Sequence, residues 1–174
     1  MGIRKILTEP DKTLREISTS VEKVGKEEQK LMDDMLETMY ANFGIGLAAI
    51  QIGVPKRIIV IDLSKKEEKK EPRYFVNPVI KNKNKELATY EEGCLSVPGQ
   101  FSEIDRPNKC EVEHLDYNGN KQILYVTGLL ATCIQHEIDH CDGILFIDYL
   151  SKLKKSMIVK KLSKQKEKSE RIIV

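Results

Sequence analysis

Apolar residues recur at helical spacing in three parts of the chain. The second part covers residues 128–141 and follows Thr127, a residue type that often caps the start of a helix. The third covers residues 152–173, where lysines separate the apolar positions and Ser151 is the candidate cap. Each pattern predicts an amphipathic helix that packs one face on a core. The first part ends near Tyr40 and has these apolar positions: Leu31, Met32, Met35, Leu36 and Met39.

The stretches between these helices indicate β-strands. Residues 57–63 are mostly β-branched and predict a buried strand, and residues 74–80 resume this character. Pro78 has no backbone N–H to donate, which restricts the second strand to a sheet edge or an irregular course. Two more strands are predicted around the hairpin dipeptide Asn118-Gly119, at residues 109–116 and 121–126.

Composition and charge describe one ordinary globular domain. The 174 residues are 40% hydrophobic and carry a formal net charge of +2, which allows one core and gives no sign of a DNA partner. No repeat or linker divides residues 1–174, so we expect a single domain. No stretch is apolar enough to span a membrane and the start has no signal sequence, which predicts a cytoplasmic protein. The four cysteines form no CxxC pair and are expected to be free thiols, one of them a candidate metal ligand.

Residues 135–140, with the sequence Gln-His-Glu-Ile-Asp-His, contain the strongest chemical pattern in the chain. His136 and His140 are four residues apart and project from one helix face, which suits two imidazoles on one metal ion. Glu137 lies beside the first histidine, where a carboxylate is able to take a proton from water at the metal. The pattern therefore predicts a metal site with a general base.

A catalytic metal site usually takes three protein ligands, so a third is needed. Phe146 stands where a metzincin-type extension places its third histidine, which excludes that class. Glu167 and Glu170 lie in a basic tail and are weak candidates, and His114 sits in a hairpin strand where a structural role is favoured. Cys94 is the better candidate, because its Gly/Pro-bounded turn is able to present a thiol from another element.

Two cysteines of the metal helix are less favoured as ligands. Cys141 is turned about 100° from His140 around the helix axis. Cys133 shares the helix stripe of Leu129 and His136, and we expect it to form part of an apolar wall beside the site.

Three separated motifs resemble those of one family. Residues 44–51 read GIGLAAIQ, residues 92–96 read EGCLS, and residues 135–140 read QHEIDH. Together they resemble the motifs of bacterial-type peptide deformylases in order and spacing, from about residue 6 to about residue 153. The resemblance implies removal of the formyl group from the N-terminal formyl-methionine of nascent polypeptides, with release of formate. It also implies an α+β fold of antiparallel strands packed around a central metal-binding helix, with a C-terminal helix.

The resemblance also implies the catalytic groups. Cys94, His136 and His140 would bind one divalent metal ion, and Glu137 would act as general base and then general acid. Fe(II) is the physiological metal of many members, and Zn(II) or Ni(II) is also able to occupy the site. The remaining two catalytic groups would stabilise the oxyanion: the side chain of Gln51 and the backbone N–H of Leu95.

For the substrate, the resemblance implies an extended peptide paired with backbone groups of Ile45 and Gly46. The methionine pocket would be built around Ile45, Leu129, Cys133 and His136, and Gly93 joins the substrate-binding set. Taken without the family, the two glycines Gly44 and Gly46 favour only a tight turn.

The chain departs from the family pattern at two positions. Cys141 stands where leucine is usual, and Phe101 stands where many members have arginine or another polar residue, so contacts beyond the methionine are open. The lysine-rich helix from about residue 151 is a solvated surface or, as the resemblance suggests, a dock for ribosomal RNA. A hydrolase for another acyl substrate and a non-catalytic metal-binding or ribosome-associated module are the alternatives. Glu137 opposes the second, because a structural metal site needs no base.

Overall fold

The computed structural model describes the backbone of residues 2–172 and the side chains of residues 2–169. Three α-helices are present in this part of the chain: α1 (Lys26–Ala41), α2 (Gly128–Cys141) and α3 (Lys152–Ile172). Three short 3-10 turns lie at Lys12–Arg15, Ala49–Ile52 and Phe146–Tyr149. The strands are β1 (Gly46–Ala48), β2 (Ile58–Ile61), β3 (Arg73–Lys83), β4 (Leu87–Cys94), β5 (Val97–Pro107), β6 (Lys109–Leu115) and β7 (Lys121–Thr127).

The three predicted helices are confirmed, and so are the two predicted starts, those of α2 and α3. Thr127 occupies the cap position of α2, although its side chain makes no capping hydrogen bond. At α3, the Ser151 hydroxyl accepts a hydrogen bond from the Lys154 N–H at 3.2 Å. The last predicted position of this helix, Ile173, lies outside the described residues.

Five of the strands form one antiparallel sheet in the order β1-β2-β3-β6-β7, and β4 pairs with β5 in a separate hairpin. Of the two predicted alternatives for the strand with Pro78, the irregular course is confirmed: the register of β3 against β6 shifts between Val76 and Val79 and again between Ile80 and Asn82. The edge position does not apply, because β3 lies inside the sheet. Such bulges leave Pro78 out of the hydrogen-bonded ladder, so its missing N–H costs no pairing.

The five-stranded sheet separates two apolar cores. Alternate residues of β2 point to opposite faces, so Ile58 and Val60 face α1 whereas Ile59 and Ile61 face α2. The methionines of α1 fill the first core, as the sequence predicted: Met32, Met35 and Met39. The second core holds α2 against the sheet and thereby sets the position of its two histidines.

The β4–β5 hairpin was not predicted and forms a third packing unit. Val97 and Ile104 of β5 pack with Phe146 and with Ile158 and Leu162 of α3. The two strands meet at the pair Cys94 and Val97. Both strands contact α2, which places the tip of the hairpin next to that helix. Within residues 2–172 no helix combines the length and apolar character that a membrane crossing requires.

Candidate active site

Two elements bring the predicted metal ligands together. The last turns of α2 place the rings of His136 and His140 with their centroids 5.0 Å apart, and both side chains are buried. The end of β4 adds Cys94, whose Sγ is 3.2 Å from His140 Nε2. One ligand atom from each of the three residues lies within 4.8 Å of the others, the only such cluster among the described residues.

The other candidates for a third ligand are placed elsewhere or are not described. His114 lies in β6, where its ring packs against the ring of Phe75 with the two ring centroids 4.6 Å apart. Glu167 is exposed on α3, and the side chain of Glu170 is outside the described residues.

The donor set fits a divalent transition metal. His136 Nδ1 is 2.8 Å from Glu92 Oε2, and this contact leaves Nε2 to face the site. Two imidazoles and one thiolate form a mixed nitrogen and sulfur set of the kind that iron, zinc and nickel accept. Burial, reinforced by neighbouring positive charges, holds the pKa of His140 well below its ordinary value. The His140 ring is therefore neutral, which is the state that binds metal.

Glu137 is buried against the backbone of β1. A Cβ atom on Gly46 would lie 2.5 Å from Glu137 Oε1, so the carboxylate occupies the space that the glycine leaves. Glu137 Oε2 has no hydrogen-bond partner among the described residues. Burial raises the pKa of Glu137 to about 7. A carboxylate with a pKa near neutrality is suited to receive a proton and then return it.

The two predicted oxyanion groups flank the thiol of Cys94. Gln51 Oε1 accepts a hydrogen bond from the Ala48 N–H at 2.8 Å, which fixes the orientation of the amide. Its Nε2 is therefore directed toward Ser96 Oγ at 3.1 Å and Cys94 Sγ at 3.5 Å. Leu95 follows Cys94 directly, in the turn between β4 and β5.

The predicted substrate-binding residues lie on or next to β1, the end of β4 and α2, the elements that contain or contact the ligand residues. Gly46 belongs to β1, which is an edge strand and has one side free of protein pairing among the described residues. Ile45 and Leu129 are 44% and 42% exposed, respectively. Cys133 is buried in the core beneath α2, and Gly93 lies under the ring of Phe101.

A buried ionic network supports His136, and its roles were not predicted from the sequence. Arg106 donates to both oxygens of Glu92, at 2.6 and 3.0 Å, and to Asp139 Oδ2 at 2.8 Å. Tyr149 also donates to Asp139, at 2.8 Å. Glu92 lies within the motif at residues 92–96 and Asp139 within the motif at residues 135–140. Their position in these motifs could have identified them as residues of the site. Arg106 lies in none of the motifs.

Comparison with known proteins identifies the family. The family model described as polypeptide deformylase matches residues 3–156. The chain belongs to this family. Peptide deformylases are metal-dependent hydrolases that remove the N-formyl group from newly made polypeptides, and the chain is an enzyme of this class.

Relatives of the peptide deformylase family cover the whole chain. A peptide deformylase of Pelagibacter ubique is 74% identical over 174 residues and covers 100% of both chains. That of Maricaulis maris is 53% identical and covers 98% of both. The crystal structure of peptide deformylase from Ehrlichia chaffeensis in complex with actinonin has a TM-score of 0.90 and 47% identity. It covers 95% of this chain and 98% of that one. The predicted α+β fold and hydrolase class are thus confirmed.

Proposed function

We propose that Cys94, His136 and His140 hold one divalent metal ion, Fe(II) in the cell with Zn(II) or Ni(II) as substitutes. The mutual approach of their three donor atoms supports this ligand set. A bound ion supplies Lewis acidity toward the formyl carbonyl and toward water. We further propose that residues 1–174 work as one catalytic domain.

Glu137 acts as general base and then as general acid. Its pKa of about 7 leaves it partly ionised at neutral pH, so it is able to take a proton from the attacking water. The same carboxyl group then returns the proton to the leaving amine of the methionine.

Gln51 and Leu95 stabilise the negative charge that develops on the formyl oxygen. The Gln51 amide is held by its own hydrogen bond to Ala48, so it needs little reorganisation when the charge appears. The N–H of Leu95 is the second donor. Each donor of this kind contributes about 3–4 kcal/mol in comparable sites.

The substrate is an extended formyl-methionyl chain. Its backbone pairs with the free edge formed by Ile45 and Gly46, as an added strand does. The methionine side chain packs against the wall formed by Ile45, Leu129, Cys133 and His136, and Gly93 belongs to the same substrate-binding set beside the thiol. Because such substrates arise at translation, we propose a cytoplasmic site of action.

The deciding experiment is formate release from formyl-Met-Ala-Ser by Fe(II)-loaded enzyme purified without oxygen. The Glu137→Gln variant should retain metal and lose about 10²–10⁴-fold in kcat. Its matched control is Glu91→Gln, because Glu91 is exposed on β4. Actinonin should inhibit the wild type. Metal-loaded enzyme that releases no formate would indicate another acyl substrate, and an active Glu137→Gln variant would remove the base assignment.

We also propose that α3 binds the ribosome. Its exposed lysines, among them Lys160, Lys161 and Lys164, offer positive charge to RNA phosphate. Changing these three residues to glutamate should weaken ribosome pelleting at low salt and leave peptide hydrolysis intact. Unchanged pelleting would contradict this role.

A further inference from the structure

Tyr149 ends the short turn that lies between the metal helix α2 and the C-terminal helix α3. At the start of this turn, Phe146 is 1% exposed, and its ring stacks with the ring of His136 at a centroid distance of 6.3 Å. Tyr149 at the other end is 52% exposed. The turn therefore joins a predicted metal ligand at one end to the protein surface at the other.

The side chain of Tyr149 contacts both partners of a buried ion pair. Its hydroxyl donates to Asp139 Oδ2 at 2.8 Å, and the same oxygen accepts from Arg106 Nη1. Burial and the charge of Asp139 raise the pKa of Tyr149 to about 12, so the hydroxyl keeps its proton at neutral pH. The guanidinium of Arg106 lies over the tyrosine ring, 5.0 Å from its centroid, where the ring face attracts a cation.

The ion pair leads from Tyr149 to the metal ligand. Arg106 donates to both oxygens of Glu92, and Glu92 Oε2 is 2.8 Å from His136 Nδ1. The side chains of Arg106 and Glu92 are each 5% exposed, and polar contacts in such a buried network depend strongly on one another. A shift of the guanidinium would therefore move the carboxylate that orients the His136 ring.

The outer side of the ion pair borders a cavity. Arg106, Asp139 and Tyr149 are among the residues that line this cavity, whose volume is about 400 Å³. Water in the cavity is able to compete for the charged groups, because a polar solvent weakens their mutual attraction. The ring of Tyr149 covers one face of the guanidinium, and Arg106 is only 4% exposed as a whole.

We propose that Tyr149 is a positioning residue for the metal ligand His136. This inference rests on the proposed metal site. The hydroxyl of Tyr149 fixes the carboxylate of Asp139, and its ring fixes the guanidinium of Arg106. Arg106 in turn holds Glu92, so the orientation of His136 depends on a residue at the protein surface.

The first test measures the Zn(II) affinity of the full chain by competition with a chelator. Tyr149→Phe keeps the ring and removes the hydroxyl, and it should raise the Zn(II) dissociation constant about threefold. Tyr149→Ala removes both contacts and should raise it about tenfold, the lower end of the effect of a direct partner of a metal ligand. Wild-type affinity in Tyr149→Phe would overturn the proposal, because the chain of contacts begins at the hydroxyl.

A spectroscopic measurement separates positioning from a loss of stability. The visible absorption of bound Co(II) depends on the geometry of its ligands. At saturating Co(II), both Tyr149 variants should show shifted absorption bands. A residue that only stabilises the fold would leave the spectrum of the folded, metal-loaded protein unchanged, so unshifted bands would overturn the proposal.

The matched control is another exposed tyrosine, Tyr125, which is 76% exposed on β7. Its neighbours Leu124 and Val126 pack in the core with α2, so the ring of Tyr125 points to the opposite face of the sheet. Tyr125→Phe and Tyr125→Ala should retain the wild-type affinity and spectrum. A comparable change in these variants would contradict a specific role of Tyr149.

Failure of the metal site and failure of this inference are distinguishable. If the wild type binds no Zn(II), the proposed metal site fails and the role of Tyr149 fails with it. If the loaded wild type releases formate but the Tyr149 variants match it in affinity and spectrum, only the role of Tyr149 is overturned.

Discussion

At the residue scale, the missing side chain of Gly46 sets the position of Glu137. We predict that Gly46→Ala lowers kcat by about 10²-fold, because a displaced catalytic group loses its alignment. The added Cβ would lie 2.5 Å from Oε1 and must move the carboxylate. Single-turnover formate release at equal metal content measures this effect. Gly2→Ala is the control, since its Cβ would have no neighbour within 4 Å; equal kcat values in the two variants would contradict the prediction.

Arg106 is the second residue whose substitution should have a specific effect, on both stability and metal affinity. Its side chain is 5% exposed and bridges Glu92, also 5% exposed, to Asp139. Arg106→Met leaves the Glu92 carboxylate buried without its cation, which should lower the free energy of unfolding by about 3–5 kcal/mol. Because Glu92 orients His136, metal affinity should also fall about 10–100-fold. Urea titration and metal competition with a chelator measure the two effects.

The control for Arg106 is an exposed ion pair. Lys81 and Glu113 are 3.2 Å apart, and both side chains are 46% exposed. Lys81→Met should cost less than about 1 kcal/mol, because water screens this pair. A comparable loss of unfolding free energy in both variants would show that the buried network stabilises the protein no more than an exposed ion pair does.

At the element scale, α3 buries only two of the four apolar positions that the sequence pattern assigned to its inner face. Ile158 and Leu162 are 6% and 3% exposed, whereas Leu153 and Met157 are 73% and 64% exposed. The sequence pattern predicted one continuous apolar face from these four residues. The buried face of α3 is narrower than this predicted face, because α3 contacts chiefly β5, a single strand of the hairpin, and not the five-stranded sheet.

We therefore predict different costs for neighbouring truncations in α3. Ile158→Ala should lower the free energy of unfolding by about 2–4 kcal/mol, because it leaves a cavity beside Val97 and Phe146. Met157→Ala should change it by less than about 0.5 kcal/mol. Urea unfolding followed by circular dichroism measures both, and similar midpoints would mean that α3 is not anchored as described.

At the scale of the whole molecule, Asp34 joins the N-terminal segment to α1. Its carboxylate accepts from Arg4 Nη2 at 2.8 Å and from the Gly2 N–H at 3.1 Å. The hydrogen bond from Arg4 and a further one from Lys30 outweigh burial and lower the pKa of Asp34 to about 2. The ionised form is therefore stabilised by folding.

We predict that Asp34→Asn lowers the free energy of unfolding by about 2 kcal/mol at pH 7. A carboxylate with a depressed pKa contributes fully above its unfolded value of 3.8 and loses this contribution as the pH falls toward 2. The difference from wild type should thus shrink between pH 4 and pH 2. Urea titrations across this range test it, with the 87% exposed Glu27 as Glu27→Gln control. A difference that does not change with pH would exclude the charge as the cause.

The helices could be predicted from the sequence because their signal is local. The spacing of apolar residues predicted α2 at residues 128–141, which are its bounds in the structure. The β4–β5 hairpin escaped prediction because its inward face is largely polar. Glu92, Ser102 and Arg106 are buried there, so the strands lack the alternation of apolar and polar residues by which strands are found.

The sequence by itself determined the metal helix, the order of the three motifs and the chemical types of the donors. These depend on spacing within a helix or a turn, which neighbouring residues set. Only the tertiary structure decided that Cys94 meets His136 and His140, that Arg106 supports them through Glu92, and that the pKa of Glu137 is about 7. These features depend on contacts between distant segments and on exclusion of water, and no local pattern encodes either.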